Sequence, residues 1–389
     1  MRSERRILTT HVGSLVRPPE LRAVLERVYA GQPAPELDAV LERCVADVVR
    51  QQAACGIDIV SDGEYGKTYS WSQYVIDRLG GFERRPLPPG AAFTAIRGKD
   101  YHDFQAFYDE YERAQGPAGL GKSFGPAQMV VTGPLAYRDA AVRADIARLR
   151  KAVSGAGVAG AFLPVVAPAS VAPNRKDEYY RSDEDFLFAL ADELNKEYRA
   201  IVDAGFIVQV DDAYMATHYD VIGDYATYRR WAELRVEALN RALRGIPEER
   251  SRYHLCWGSW NGPHTNDIEL ERIADLLLRV RVGGYSIEMA NPRHEHEWRV
   301  WETVKLPAGR VLLPGVVSHS TNVVEHPALV AERIVRLARL VGRENVIASS
   351  DCGFAQGPFG QRVHPSIMWA KLQAIADGAA LATRQLFSR

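Results

Sequence analysis

The chain has 389 residues, of which 47% are hydrophobic and 25% charged, enough apolar material to bury a large core. Its formal net charge of −1 gives no electrostatic case for a nucleic-acid partner or a membrane surface. Four cysteines are too few for a disulfide scaffold, the start Met1-Arg2-Ser3-Glu4-Arg5-Arg6 is no secretory signal, and no apolar stretch nears the ~20 residues of a membrane span, so a reducing cytoplasm is expected.

Strand-like runs and amphipathic helical patterns alternate almost from end to end, as in βα units around a parallel sheet. The first run is Ile7–Val12, closed by Gly13-Ser14. Leu37, Val40, Leu41, Cys44, Val45, Val48 and Val49 follow at helical spacing, with Gly56 as the stop, so Cys44 and Cys55 read as core packing. Ile57–Ser61 leads into Asp62-Gly63-Glu64. A helix over about 184–204, capped by Ser182, feeds Phe206–Val210 and then Asp211-Asp212. A helix over about 225–243 precedes Tyr253–Gly258, and Asn266 with Glu269 is expected to cap the next helix, which leads to Gly284–Glu288. Val311–Val317 runs into Ser318-His319-Ser320, and Val346–Ala348 into Asp351-Cys352-Gly353.

With Met129–Thr132 and Ala161–Val166 included there is one run more than a (β/α)8 TIM barrel needs, and the Met129 segment is the one placed outside the ring. The expected fold is that barrel, as a single domain over 1–389, elaborated by an insertion near residues 84–125 that is rich in Gly, Pro and charge. Chemically capable residues fall at the C-terminal end of run after run: Ser14, Asp62 with Glu64, Asp211 with Asp212, Glu288, His319 and Cys352. In a barrel these ends converge on the face that carries active sites. Turn composition accounts for Ser14 and Asp62, but poorly for the cysteine, histidine and glutamate.

His254 and Cys256 lie two apart, so in a strand they project from one face. Zinc takes such nitrogen and sulfur ligands tetrahedrally. Cys352, about a hundred residues on, offers a second sulfur, and Glu288 a carboxylate oxygen. A strand cysteine can equally be a small buried hydrophobe.

Thr9-Thr10-His11-Val12-Gly13-Ser14, Asp62-Gly63-Glu64, Gln209-Val210-Asp211-Asp212, His254-Leu255-Cys256, Ile287-Glu288, His319-Ser320 and Asp351-Cys352-Gly353 occur in this order. In these motifs the chain resembles the C-terminal catalytic barrel of cobalamin-independent methionine synthase, and more closely the short single-barrel members of that superfamily. The resemblance implies a zinc-dependent methyltransferase that makes methionine from homocysteine. His254, Cys256, Glu288 and Cys352 would hold Zn2+; Ser14, Glu64 and Asp211 would bind the amino-acid part of the thiol; His319 would shuttle the proton near the leaving group. The alkyl donor it implies is a methyl-folate, a methyl-corrinoid or another carbon electrophile, and a homo-oligomer is compatible with it. The chain departs from the family in lacking a second barrel, in having no tryptophan over Phe162–Pro173, and in carrying Asp212 where glutamate is usual. The alternative is a thiol transferase of the epoxyalkane:coenzyme M transferase type. A third reading is a zinc-holding barrel that hydrolyses its substrate through metal-bound water, which fits two thiolate ligands poorly, or that binds a ligand without turnover.

Arg293-His294-Glu295-His296-Glu297 reads as a polar active-site loop or a solvated turn rather than a second His-x-His metal site, with Arg293 able to pair with an acidic substrate group. Tyr69, Trp71, Tyr74, Trp257 and Trp260 are candidates for pocket walls or for barrel packing, and Asp351 reads as a turn cap.

Overall fold

The computed structural model describes residues 1–67, 70–86, 98–115, 127–171 and 175–388. Eleven strands are described: β1 (Leu8–Thr9), β2 (Ile59–Val60), β3 (Leu79–Pro86), β4 (Ala127–Tyr137), β5 (Gly160–Val166), β6 (Lys176–Asp177), β7 (Ile207–Asp212), β8 (Ser251–Leu255), β9 (Gly284–Ile287), β10 (Val311–Val317) and β11 (Ile347–Ser350). Eight of them form one all-parallel sheet in the order β1-β11-β10-β9-β8-β7-β5-β2. The two end strands meet through Asp58, whose amide donates to the Thr9 carbonyl (3.1 Å) and whose carboxylate accepts from the Thr9 amide (2.9 Å). The sheet is thus a nearly closed (β/α)8 barrel.

The ring strands are apolar because both their faces are covered. Ile59, Phe162, Ile207, Val311, Leu313 and Ile347 fill the lower interior, while helices such as Leu37–Ala54 and Asp183–Asp203 pack their apolar stripes outside. Ser182 caps the second of these helices by accepting from the Asp185 amide (3.0 Å). No described helix is long and apolar enough to cross a membrane.

The Met129 segment lies outside the ring, in β4, which pairs antiparallel with β3 and parallel with β6. The insertion is wider than residues 84–125, since β3, β4 and the helices Lys99–Asp103 and Gln105–Gln115 all lie in it, while β6 joins its sheet from beyond β5. Asp100 anchors it to the loop after β8, accepting from the Thr265 amide (3.0 Å) and hydroxyl (2.7 Å), the His264 amide (3.2 Å) and Tyr108 OH (3.0 Å). Asn266 is therefore no helix cap: its amide donates to Asp103 (3.2 Å) on the insertion, and the helix begins later, at Ala274.

Candidate active site at the carboxyl end of the barrel

β8 brings His254 and Cys256 to the rim, where the Cys256 amide extends the ladder by donating to the Asp212 carbonyl (3.1 Å). Cys352 follows β11, and its carbonyl accepts from the Ser350 hydroxyl (3.0 Å). The ligand atoms of His254, Cys256 and Cys352 lie within 4.8 Å of one another, and all three residues are buried. The two sulfurs are 3.6 Å apart and not bonded. Two sulfurs on one tetrahedral zinc, each at about 2.3 Å, would stand ~3.8 Å apart. Both ring nitrogens of His254 are buried without a hydrogen-bond partner. A buried imidazole without a partner is costly unless something else takes its lone pair, so this set fits a metal ion.

Without an ion, the three groups share a proton economy. Hydrogen bonding from Cys256, and the charge of the neighbouring His254, hold the Cys352 thiol well below its ordinary pKa, and the same contact with Cys352 pushes Cys256 well above. Burial opposes charge on His254, but Cys352, Asp211 and Glu288 together outweigh it and raise the imidazole to about 9.

Glu288, just past β9, borders the trio at Cys256 and Cys352. Its Oε1 accepts from the Trp257 amide (3.0 Å) and its Oε2 from the Asn291 amide group (3.0 Å), and it also groups with His319 and Asp351. Burial, then the Cys352 charge, raises Glu288 to about 8. Asp351 accepts from the amides of Met289 and Ala290 (both 2.8 Å), as a turn cap does. His319 is buried with both ring nitrogens unpartnered, and burial lowers it to about 4, so it is neutral near pH 7.

Ser14, Glu64 and Asp211 line the same cleft as His254, Cys256 and Cys352, and Trp71 and Trp260 wall it. Ser14 is fixed to the Cys352 loop, its carbonyl accepting from Phe354 N (2.8 Å) and its hydroxyl from Ala355 N (3.3 Å). Any Cβ on Gly353 would collide with that hydroxyl. Glu64 has a left-handed backbone (φ 62°), strained for a residue other than glycine. Arg17 holds it by donating to its carbonyl (2.6 Å), and Asp62 by accepting from its amide (2.9 Å). Its carboxylate pairs with buried Lys67 (3.0 Å). Asp211 accepts from Gln209 (2.7 Å), and burial raises it to about 7.

Several residues singled out in the sequence face elsewhere. Asp212 lines the cleft, yet accepts from Ser170 (2.7 Å), Tyr253 (3.1 Å) and the Met215 amide (3.1 Å). Trp257 is buried, donating to the Ile268 carbonyl (2.8 Å), and Tyr74 packs inward against Glu197 (3.3 Å). Tyr69 lies outside the described residues. His294 is not free to bind a metal, because it is held between Asp267 (3.0 Å) and Glu297 (3.1 Å), while Arg293 turns to the Thr265 carbonyl (3.2 Å). Lys67 and the cleft residues Gln356 and Arg362 went unnoticed in the sequence. Lys67 had one signal, its place three residues after Glu64 on the same turn.

No family model matches the chain. It is 25% identical over 340 residues to a methionine synthase of Thermococcus kodakarensis, covering 87% of this chain and 82% of that one. It is 24% identical over 349 residues to a methionine synthase of Sulfolobus acidocaldarius, covering 89% and 85%. Its fold matches a B12-independent methionine synthase from Shewanella sp. W3-18-1, solved in complex with selenomethionine, at a TM-score of 0.72 and 19% identity, over 98% of this chain and 99% of that one. These relatives bear out the family resemblance drawn from the motifs.

Proposed function

We propose that this chain, similar over most of its length to methionine synthases, is a zinc-dependent methyltransferase that acts on the sulfur of homocysteine. The observation that carries the reading is the buried His254, Cys256 and Cys352 trio, with an unpartnered imidazole and two unbonded sulfurs. Zinc held there, with Glu288 as a further oxygen donor, would take the proton's place on an incoming thiol while keeping the sulfur nucleophilic.

The chain's own residues supply the rest. Glu64 and Asp211 offer carboxylates to the substrate ammonium, and the loop at Ser14 offers its polar groups to the carboxylate. His319, neutral and unpartnered, accepts the thiol proton on a ring nitrogen and returns it to the leaving group. Trp71 and Trp260 exclude water from the sulfurs.

The test is to incubate zinc-loaded protein with homocysteine and methyl-folate, methyl-corrinoid or simple methyl donors, and to measure methionine by mass spectrometry. Methionine formed from one of them is the expected result; none from any donor removes the reading. The Lys67–Glu64 ion pair favours a second reading, because it occupies one of the two carboxylates expected to meet an ammonium. In that case another thiol attacks a non-methyl electrophile such as an epoxide. Binding titrations separate the two, since a clear preference for homocysteine over thiols without an amino group counts against the second.

A further inference from the structure

β7 and β8 run in register, with Gln209 opposite Arg252 and Asp211 opposite His254. Residues two apart on a strand share a face, so Gln209 and Arg252 form a layer directly beneath Asp211 and His254. Interior layers of such barrels are ordinarily filled by branched aliphatic side chains. Here the layer is polar, and both residues are buried.

Arg252 has no carboxylate partner among the described residues. It lies over the Phe162 ring (3.6 Å) and donates to the Thr10 hydroxyl (3.1 Å), the His11 carbonyl (3.0 Å) and Gln209 Oε1 (2.6 Å). A guanidinium only donates, so it can bond only the oxygen of the glutamine amide. That settles which way the amide lies. Gln209 Nε2 is left to donate to Asp211 Oδ1 (2.7 Å) and to the Val12 carbonyl in the loop that carries Ser14.

We infer that Gln209, oriented by Arg252, is a positioning residue that aims Asp211 at the ammonium of the thiol substrate. A two-pronged contact between Arg252 and Asp211 would occupy both carboxylate oxygens and weaken their hold on an ammonium. A neutral amide between them fixes Oδ1 and leaves Oδ2 without a protein partner among the described residues. The same amide holds Val12, so it also sets the distance between the carboxylate and the Ser14 loop. This rests on the reading of Asp211 as an ammonium-binding group.

The test compares zinc-loaded wild type, Gln209→Leu and Gln209→Glu by calorimetric titration with homocysteine and with γ-mercaptobutyrate, the same skeleton without the ammonium. Gln209→Glu keeps an acceptor for Arg252 but turns an oxygen towards Asp211, so it guards against a Leu variant that fails to fold. Zinc content and unfolding temperature are measured on each. In both variants homocysteine binding is expected to weaken roughly tenfold, as for a lost oriented contact to a charged group, and γ-mercaptobutyrate binding to change less than about twofold. Unchanged homocysteine preference, or equal weakening for both thiols, overturns the inference, because a merely structural role would move both alike. A wild type without preference for homocysteine instead sinks the functional reading above.

Discussion

Asp62 is the first acid of the motif that sets Glu64, and it is buried near Asp145. Burial, then the Asp145 charge, raises its carboxyl to about 7. The folded chain therefore keeps a proton that the unfolded chain releases near pH 4. The stability from this group is full below about pH 4 and is lost as the pH rises towards 7. Asp62→Asn keeps the acceptor for the Glu64 amide and removes the titration. Its denaturant stability should fall less between pH 4 and 7 than that of wild type; an equally steep fall would show that Asp62 ionises normally. A second prediction concerns Gly258, whose φ is 86° and where a Cβ would collide with the Trp260 ring. Gly258→Ala should displace that wall, raising the KM for the thiol several-fold while zinc content stays the same, and unchanged kinetics would contradict it. At this scale strand alternation alone puts His254 and Cys256 of the trio on one face, while Cys352 came in only through the order of the motifs and the resemblance they carry. The sequence puts Lys67 three residues after Glu64 and Gln209 two before Asp211, spacings that allow contact, but does not say which way each side chain turns, and that decides the pairing.

Among the elements, the ring strands were legible as short apolar runs ending in polar residues, and the longer helices from their stripes. Tyr214–Ile222 was not, because Tyr214, Met215, Ala216 and Thr217 are consecutively buried and leave no helical period to read. Pro19–Tyr29 begins without a side-chain cap, so its start carried no Ser, Thr, Asp or Asn signal. The insertion read as loop because what holds it is tertiary: two carboxylates, Asp100 and Asp103, accepting from the loop after β8. Asp100→Ala should cost about 2–3 kcal/mol, the penalty for stranding several buried donors of a charged acceptor. It should also expose the segment around 98–115 to limited proteolysis, with zinc content unchanged. Proteolysis indistinguishable from wild type would mean that the anchor lies elsewhere.

Across the whole molecule, the metal-ligating candidates come from strands that are not neighbours, β8 and β11, with β9 and β10 between them. An ion shared by them would tie the mouth of the barrel together and, bound only by the folded chain, would add to stability by mass action. A chelator should therefore lower the unfolding temperature by several degrees, reversibly on adding zinc; an unchanged transition would contradict that coupling. The most direct check on the central claim is metal analysis of purified wild type and Cys352→Ala side by side. The account predicts close to one zinc per wild-type chain and a large loss in the variant, with methyl transfer lost alongside. A wild type without zinc, or a variant that keeps its zinc, contradicts it.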